Sequence, residues 1–193
     1  MTGGLRHVIL DRDGVLNIED PSRRYVTDWT QWRWVPGALD GLRLLTSANI
    51  EVSIATNQSC IGLGAALRSE VDGIHARMER EAERNGAVIG RVLVCPHAPR
   101  EGCNCRKPAP GLLESAISAV RIPLRETVLV GDDLRDVEAA DNAGVQAIVV
   151  RSGKGRETER ILCGRRLAVF DDLLQFAEFA VAGPIFPASP GSS

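Results

Sequence analysis

The chain has 193 residues, close to the length of one domain, and its 44% hydrophobic and 25% charged residues exclude a disordered or fibrous protein. Its 23 Lys and Arg against 25 Asp and Glu leave a net charge of −2, without the basic excess of a general nucleic-acid binder. No apolar run approaches the roughly 20 residues of a helical membrane span.

Short Val- and Ile-rich runs bounded by Gly, Pro, Asn or Asp recur along the chain and read as buried strands. They are His7–Leu10 and residues 51–55, 88–94, 127–130 and 145–150. Helical periodicities lie between them. Leu39, Leu42 and Leu45 follow Pro36-Gly37, and Leu67, Val71, Ile74 and Met78 form one apolar stripe. Leu113, Ile117 and Val120 precede Pro123, an expected stop, and Val137, Ala140 and Ala143 precede Gly144, a C-terminal signal. A last helix is expected over residues 171–181, with Asp171 or Asp172 near its cap.

This alternation predicts an α/β fold with a doubly wound, mostly parallel sheet covered on both faces. A single domain over residues 1–182 and a flexible Gly-, Pro- and Ser-rich tail over 183–193 are expected. Two segments lack a period. Residues 17–36 hold all three tryptophans and the only tyrosine, and residues 95–111 hold a cysteine cluster. Both follow strands, so both should project from the carboxyl edge of the sheet, where open α/β folds place ligands.

Four motifs carry chemistry. Asp11-Arg12-Asp13-Gly14 ends the first strand; the two-residue period points both carboxylates one way and Arg12 the other. Paired carboxylates there suit a bound cation, or a nucleophile beside an acid/base, as well as a solvated loop. Gly131-Asp132-Asp133 follows the fourth strand, and Asp132 could share Mg²⁺ with Asp11. Asp133 fits either a helix cap or a site role, whereas Asp136 reads as first-turn helix charge. Thr56-Asn57-Gln58-Ser59 after the second strand offers donors to a phosphate, though the same residues make ordinary turns. Arg106 and Lys107 place two cations on a loop over the same edge.

The cysteine cluster, Cys95-Pro-His97 and then Cys103-Asn-Cys105, has the ligand count of a closed Cys₃His zinc site, which leaves no position for water and is therefore structural. Cys60 and Cys163 read as buried small hydrophobes. The start MTGGLRHVIL lacks a secretory leader's basic and long apolar regions. A cytoplasmic protein, monomeric and without a membrane or nucleic-acid partner, is expected.

The order Asp11-x-Asp13-Gly14, Thr56, Lys107, Gly131-Asp132-Asp133 resembles the four-motif set of the haloacid dehalogenase superfamily of phosphohydrolases. The strings LDRDGVLN, ATNQS and CPHAPREGCNCRKPAPG look like the D-glycero-D-manno-heptose 1,7-bisphosphate 7-phosphatases and the related histidinol-phosphate phosphatases, over roughly residues 6–152. TNQS and the P-x-P-G-L-L after Lys107 favour the heptose enzymes; the short gap between His97 and Cys103 is closer to the histidinol-phosphate enzymes. The resemblance implies a Rossmann-like haloacid dehalogenase core without a large cap domain and with a zinc-binding loop.

It further implies Asp11 as nucleophile, forming an aspartyl-phosphate, and Asp13 as general acid/base. Thr56 and Lys107 would hold the phosphoryl group, with Arg106, Asn57, Gln58, Ser59 and Asp133 facing the sugar phosphate. Asp11, the backbone carbonyl of Asp13, and Asp132 would bind Mg²⁺, and Cys95, His97, Cys103 and Cys105 would bind Zn²⁺. The expected reaction is removal of the 7-phosphate of heptose 1,7-bisphosphate. Histidinol-phosphate or other sugar-phosphate hydrolysis is the alternative, and a non-catalytic zinc-stabilised binding module the rival from another class. Two departures remove positive charge near the substrate. Cys60-Ile61-Gly62-Leu63-Gly64 replaces the usual Gly-Ile-Ala-Arg-Gly, and Asp133 stands where lysine is common. Arg23, Arg24 and Arg135 are candidates to compensate, and segment 17–36 is expected to help choose the sugar.

Overall fold

The computed structural model describes residues 4–183. Most of the expected tail, residues 184–193, lies outside the described residues. Six strands alternate with helices: β1 (His7–Leu10), α1 (Ala38–Ser47), β2 (Glu51–Asn57), α2 (Ser59–Gly62), α3 (Arg68–Arg84), β3 (Arg91–Cys95), α4 (Gly111–Val120), β4 (Thr127–Gly131), α5 (Leu134–Ala143), β5 (Gln146–Val150), α6 (Gly155–Ile161), β6 (Ala168–Phe170) and α7 (Leu173–Val181). All strand pairs are parallel and the spatial order is β3-β2-β1-β4-β5-β6. The chain winds outward from β1 in one direction and then, from β4, in the other. The switch point therefore lies between the carboxyl ends of β1 and β4, where such sheets hold ligands.

Alternation along the strands divides the core into two layers. Val8, Leu10, Val52, Ile54, Val128, Val130, Ile148 and Val150 face one side and pack with residues of α1, α3 and α7. Ile9, Ala55, Leu129, Ala147 and Val149 face the other, against Leu112, Leu113 and Ala116 of α4 and Val137 and Ala140 of α5. The middles of the strands are mostly apolar because both faces of the sheet are covered. Helix ends follow their residue chemistry. Asp172 accepts a hydrogen bond from the Gln175 amide at the start of α7, and Gly144 closes α5 at a φ of 71°.

The differences from the sequence expectation have local causes. The third strand starts at Arg91 rather than 88, because the Val88 amide donates to Thr46 Oγ1 and the side chain is exposed. The stop expected at Pro123 is met, α4 ending at Val120 with Arg121 at a φ of 56°. α2, α6 and the three-residue β6 are too short or too polar to register as periods. Segment 17–36 is a loop whose ends are tied together by Ile18 N–H to Arg33 O at 2.8 Å and Val35 N–H to Leu16 O at 2.8 Å. Cys60 is buried as expected, but Cys163 is exposed in the turn after α6. No helix among the described residues is long and apolar enough to cross a membrane.

Candidate active site and metal centres

Leu10 of β1 pairs with Val130 of β4, and the Asp11 amide donates to Val130 O at 2.9 Å, which brings Asp11 level with the start of Gly131-Asp132. Asp11, Asp132 and Asp136 each place a carboxylate oxygen within 4.8 Å of the others. Lys107 reaches into this group, its Nζ 2.8 Å from Asp11 Oδ1 and 2.6 Å from Asp136 Oδ1. Burial pushes the Asp11 carboxyl up to about 7, with Asp136 and Asp13 adding to the rise and Lys107 opposing it. Asp132 is raised well above the carboxylate range, first by burial and then by Asp11 and Asp136. Crowded, desolvated carboxylates of this kind are relieved by a divalent cation, and their hard oxygens suit Mg²⁺. Asp136 thus belongs to the cluster and is more than a helix-start charge. It also accepts from the Asp133 amide at 3.0 Å, closing a capping box on α5. Its position four residues after Asp132 was the available signal.

Glycines make this approach possible. A Cβ on Gly14, at a φ of 88°, would collide with the Asp132 carboxylate, and one on Gly131 would collide with Asp136. The Asp132 carboxylate accepts from the Lys154 amide at 2.7 Å, and Thr158 Oγ1 donates to Asp132 O at 2.7 Å, so α6 and the loop before it hold this residue from behind.

Asp13 is saturated with donors. Arg12 Nη2 lies 2.9 and 2.8 Å from its two oxygens and Arg12 Nε 3.1 Å from Oδ1, while Gln58 Nε2 donates to Oδ2 at 2.9 Å and Asn17 Nδ2 to Oδ1 at 3.2 Å. Burial alone would raise this carboxyl, but the Arg12 guanidinium and the amide donors bring it below the usual range. Arg12 does not point away from the carboxylates as expected; its long side chain is fully buried and reaches Asp13. Thr56, at the carboxyl end of β2, is buried with its Oγ1 2.8 Å from Gln58 Nε2. Gln58 therefore ties Thr56 to Asp13. Asn57 uses both ends of its amide on the Lys107 backbone, donating to the carbonyl and accepting from the N–H at 3.0 Å each. Ser59 Oγ is 3.3 Å from the Tyr25 hydroxyl.

Cys95, His97, Cys103 and Cys105 converge just before Lys107. The thiol–thiol distances Cys95–Cys103 and Cys103–Cys105 are 3.6 Å, and His97 Nδ1 lies 3.6 Å from Cys95 Sγ and 3.2 Å from Cys105 Sγ. A tetrahedron around zinc, with metal–sulfur bonds of about 2.3 Å, has edges of roughly 3.5–3.8 Å. The four side chains fit that ion. Burial pushes the Cys95 thiol up to about 12, so an ion there would have to displace its proton. The Cys95 carbonyl accepts from the Gln58 amide, and the Asn104 carbonyl from the Gly111 amide, joining this loop to β2 and α4.

A cavity of about 250 Å³ opens above the carboxylates. Segment 17–36 lines it with Glu19, Arg23, Arg24 and Tyr25, but not with its tryptophans. Trp29 stacks on Trp32, and Trp32 meets Trp34 edge to face, within or against the core. Asp133 caps α5 and is gripped by Arg135 at 2.7 Å, with Lys154 at 3.6 Å; Lys154 also pairs with Glu19 at 2.9 Å. Arg106 lines the cavity and keeps one buried guanidinium nitrogen, Nη1, without a hydrogen-bond partner.

Residues 104–176 match the HAD-hydrolase-like family. The chain is 37% identical over 173 residues to D-glycero-beta-D-manno-heptose-1,7-bisphosphate 7-phosphatase of Pseudomonas putida, covering 90% of this chain and 98% of that one. It is also 37% identical over 179 residues to the D-glycero-alpha-D-manno-heptose-1,7-bisphosphate 7-phosphatase of Mycobacterium tuberculosis, covering 88% of each. Its fold superposes on the D,D-heptose 1,7-bisphosphate phosphatase of B. bronchiseptica, solved with magnesium and phosphate, with a TM-score of 0.86 and 35% identity over 92% of this chain and 99% of that one. With the sheet, the carboxylate–lysine cluster and the Cys₃His loop all in place, the chain belongs to the heptose 1,7-bisphosphate 7-phosphatase family of haloacid dehalogenase-like phosphohydrolases.

Proposed function

We propose that the protein is a Mg²⁺-dependent phosphatase that removes the 7-phosphate of D-glycero-D-manno-heptose 1,7-bisphosphate. The observation that carries this reading is Lys107 Nζ at 2.8 Å from Asp11 Oδ1 and 2.6 Å from Asp136 Oδ1, beneath a cavity sized for a small sugar phosphate. Lys107 engages one oxygen of Asp11 and leaves the other to attack phosphorus. Asp13, ionised in the free site, takes the proton of an incoming phosphate monoanion and donates it to the departing sugar oxygen as the phosphorus–oxygen bond breaks, giving an aspartyl-phosphate on Asp11. Asp13 then takes a proton from water, which attacks that phosphorus and releases inorganic phosphate and the free Asp11 carboxylate.

Lys107 and Thr56 hold the phosphoryl oxygens. Burial would lower the Lys107 ammonium, but Asp11 and Asp136 raise it above its ordinary value, so it stays a fixed cation. Asp11, Asp132 and the backbone carbonyl of Asp13 would hold Mg²⁺, which when bound neutralises charge on the phosphoryl group. Cys95, His97, Cys103 and Cys105 would hold Zn²⁺ as a structural ion that fixes Arg106 and Lys107.

For the distal phosphate, Arg135 and Lys154 are engaged by Asp133 and Glu19, and Arg23 lies 3.7 Å from Asp20. Arg24 lies over the Tyr25 ring at 5.5 Å and has no carboxylate partner among the described residues; Arg106 lines the same cavity and keeps its buried Nη1 without a hydrogen-bond partner. These two arginines take the place of the cations absent after Gln58-Ser59 and at position 133. Phosphate release from both anomers of heptose bisphosphate, histidinol phosphate and fructose 1,6-bisphosphate tests the reading. Preferential release from one heptose anomer supports it, and preference for histidinol phosphate overturns it.

A further inference from the structure

Among the described residues Arg12 is the largest fully buried side chain, and the proposed reaction gives it no task. A guanidinium has five donors and no acceptor. Arg12 directs Nε and Nη2 at Asp13, and its plane lies near Trp32, 5.8 Å from the ring centroid. On the remaining side, Arg12 Nη1 lies 3.0 Å from Nε2 of His75, a buried residue of α3. Because Arg12 can only donate, His75 Nε2 is the acceptor and its ring proton is on Nδ1. His75 also lies in the wall of a second cavity of about 520 Å³, between α3, α4 and the edge strand β3, which shares no lining residue with the cavity above the carboxylates.

We propose that His75 is a positioning residue for Asp13, acting through Arg12: its Nε2 fixes the guanidinium plane that sets where the Asp13 carboxylate points. This rests on Asp13 being the acid/base of the proposed function. Arg12 spans Asp13 and His75 as a rigid fork. Once the His75 acceptor is lost, Nη1 has no partner in the interior and the fork is free to rotate, taking Asp13 off the line to the departing oxygen. A displacement of about 1 Å in a reacting group can cost on the order of 100-fold in rate.

The test compares His75→Ala and His75→Gln with the unaltered protein, on the heptose bisphosphate and on p-nitrophenyl phosphate. Its aryl leaving group departs without a proton. For His75→Ala, kcat and kcat/KM on the sugar phosphate should fall roughly 10- to 100-fold with KM within about twofold. The kcat/KM for the aryl ester, which reports on steps up to loss of the leaving group, should change little. His75→Gln, whose side-chain carbonyl can accept from Arg12, should recover most of the sugar-phosphate rate. Imidazole entering the second cavity should raise the rate of His75→Ala.

Equal losses on both esters, or a folded His75→Ala as fast as the unaltered protein, would overturn the inference. So would His75→Gln as slow as a folded His75→Ala. If the unaltered protein released phosphate from no ester, the proposed function and the inference would fall together. A normal unaltered enzyme with an unimpaired His75→Ala would remove the inference alone.

Discussion

Asp136 Oδ1 lies 2.6 Å from Lys107 Nζ, closer than the 2.8 Å between that nitrogen and Asp11 Oδ1. The lysine is thus held from the first turn of α5 as well as by the strand-end carboxylate, and its charge is fixed before any phosphate arrives. Preorganised charge of this kind is worth most in a buried site, where water does not compete. Asp136→Asn can still accept from the Asp133 amide but loses the charge that holds Lys107. Its kcat should fall at least about tenfold, with the melting temperature nearly kept. Steady-state kinetics and a thermal melt check this, and an unchanged kcat would mean that Asp11 alone positions the lysine.

Arg106 and Lys107 directly follow the last ligand of the Cys₃His cluster, so stability and activity should fall together when that cluster is emptied. Structural zinc contributes about 10–16 kcal/mol in small zinc domains, comparable to the stability of a whole domain. Zinc analysis of the purified protein should give one ion per chain. Chelation, or Cys103→Ser, should lower the melting temperature and depress kcat roughly tenfold or more. Full activity after complete zinc removal would show that Asn57 and the β2 contacts suffice to hold Lys107.

Arg24 should act on binding rather than on chemistry. Arg24→Ala is expected to raise KM for the bisphosphate about 5- to 20-fold and to leave kcat within about twofold, the loss of a partly exposed charge-assisted contact. For the corresponding heptose 7-monophosphate, KM should hardly change. Equal KM increases for both compounds would place Arg24 against the sugar rather than the distal phosphate.

His7 provides a pH signature far from the reaction. It is buried in β1 with Nε2 3.0 Å from Ser53 Oγ, and burial lowers it to about 4 from an ordinary 6.5. The folded protein therefore binds fewer protons than the unfolded chain between these values. The contribution is complete above pH 6.5 and disappears as the pH falls through about 4; the shift corresponds to about 3 kcal/mol. Denaturant titrations of the unaltered protein and His7→Gln should show a smaller loss of stability between pH 6.5 and 4 in the variant. Parallel curves would contradict a buried neutral His7.

Much of the site was legible because its residues sit where strands end or close together in the chain. Asp11, Thr56 and Asp132 follow apolar runs whose parallel pairing brings their ends to one edge, and the zinc ligands span eleven residues before Lys107. Asp136 was hidden because acidic residues favour any helix start. Arg12 was misread because strand periodicity describes the direction of Cβ, not the reach of a long side chain. His75 could not be seen at all: it reaches Arg12 through the packing of α3 against the sheet, which no local pattern encodes. The tryptophans of segment 17–36 anchor the loop in or against the core, so that segment lines the cavity with Ile18, Tyr25, Val26, Gln31 and its charged residues instead.

The proposed chemistry turns on Asp11 as the phosphorus-attacking group. The most direct measurement is phosphate release from heptose 1,7-bisphosphate by Asp11→Asn with Mg²⁺ present, alongside its zinc content and thermal melt. With Asp11 as the nucleophile, release no faster than background is expected from a folded protein that retains its zinc. Release near the rate of the unaltered protein would contradict it.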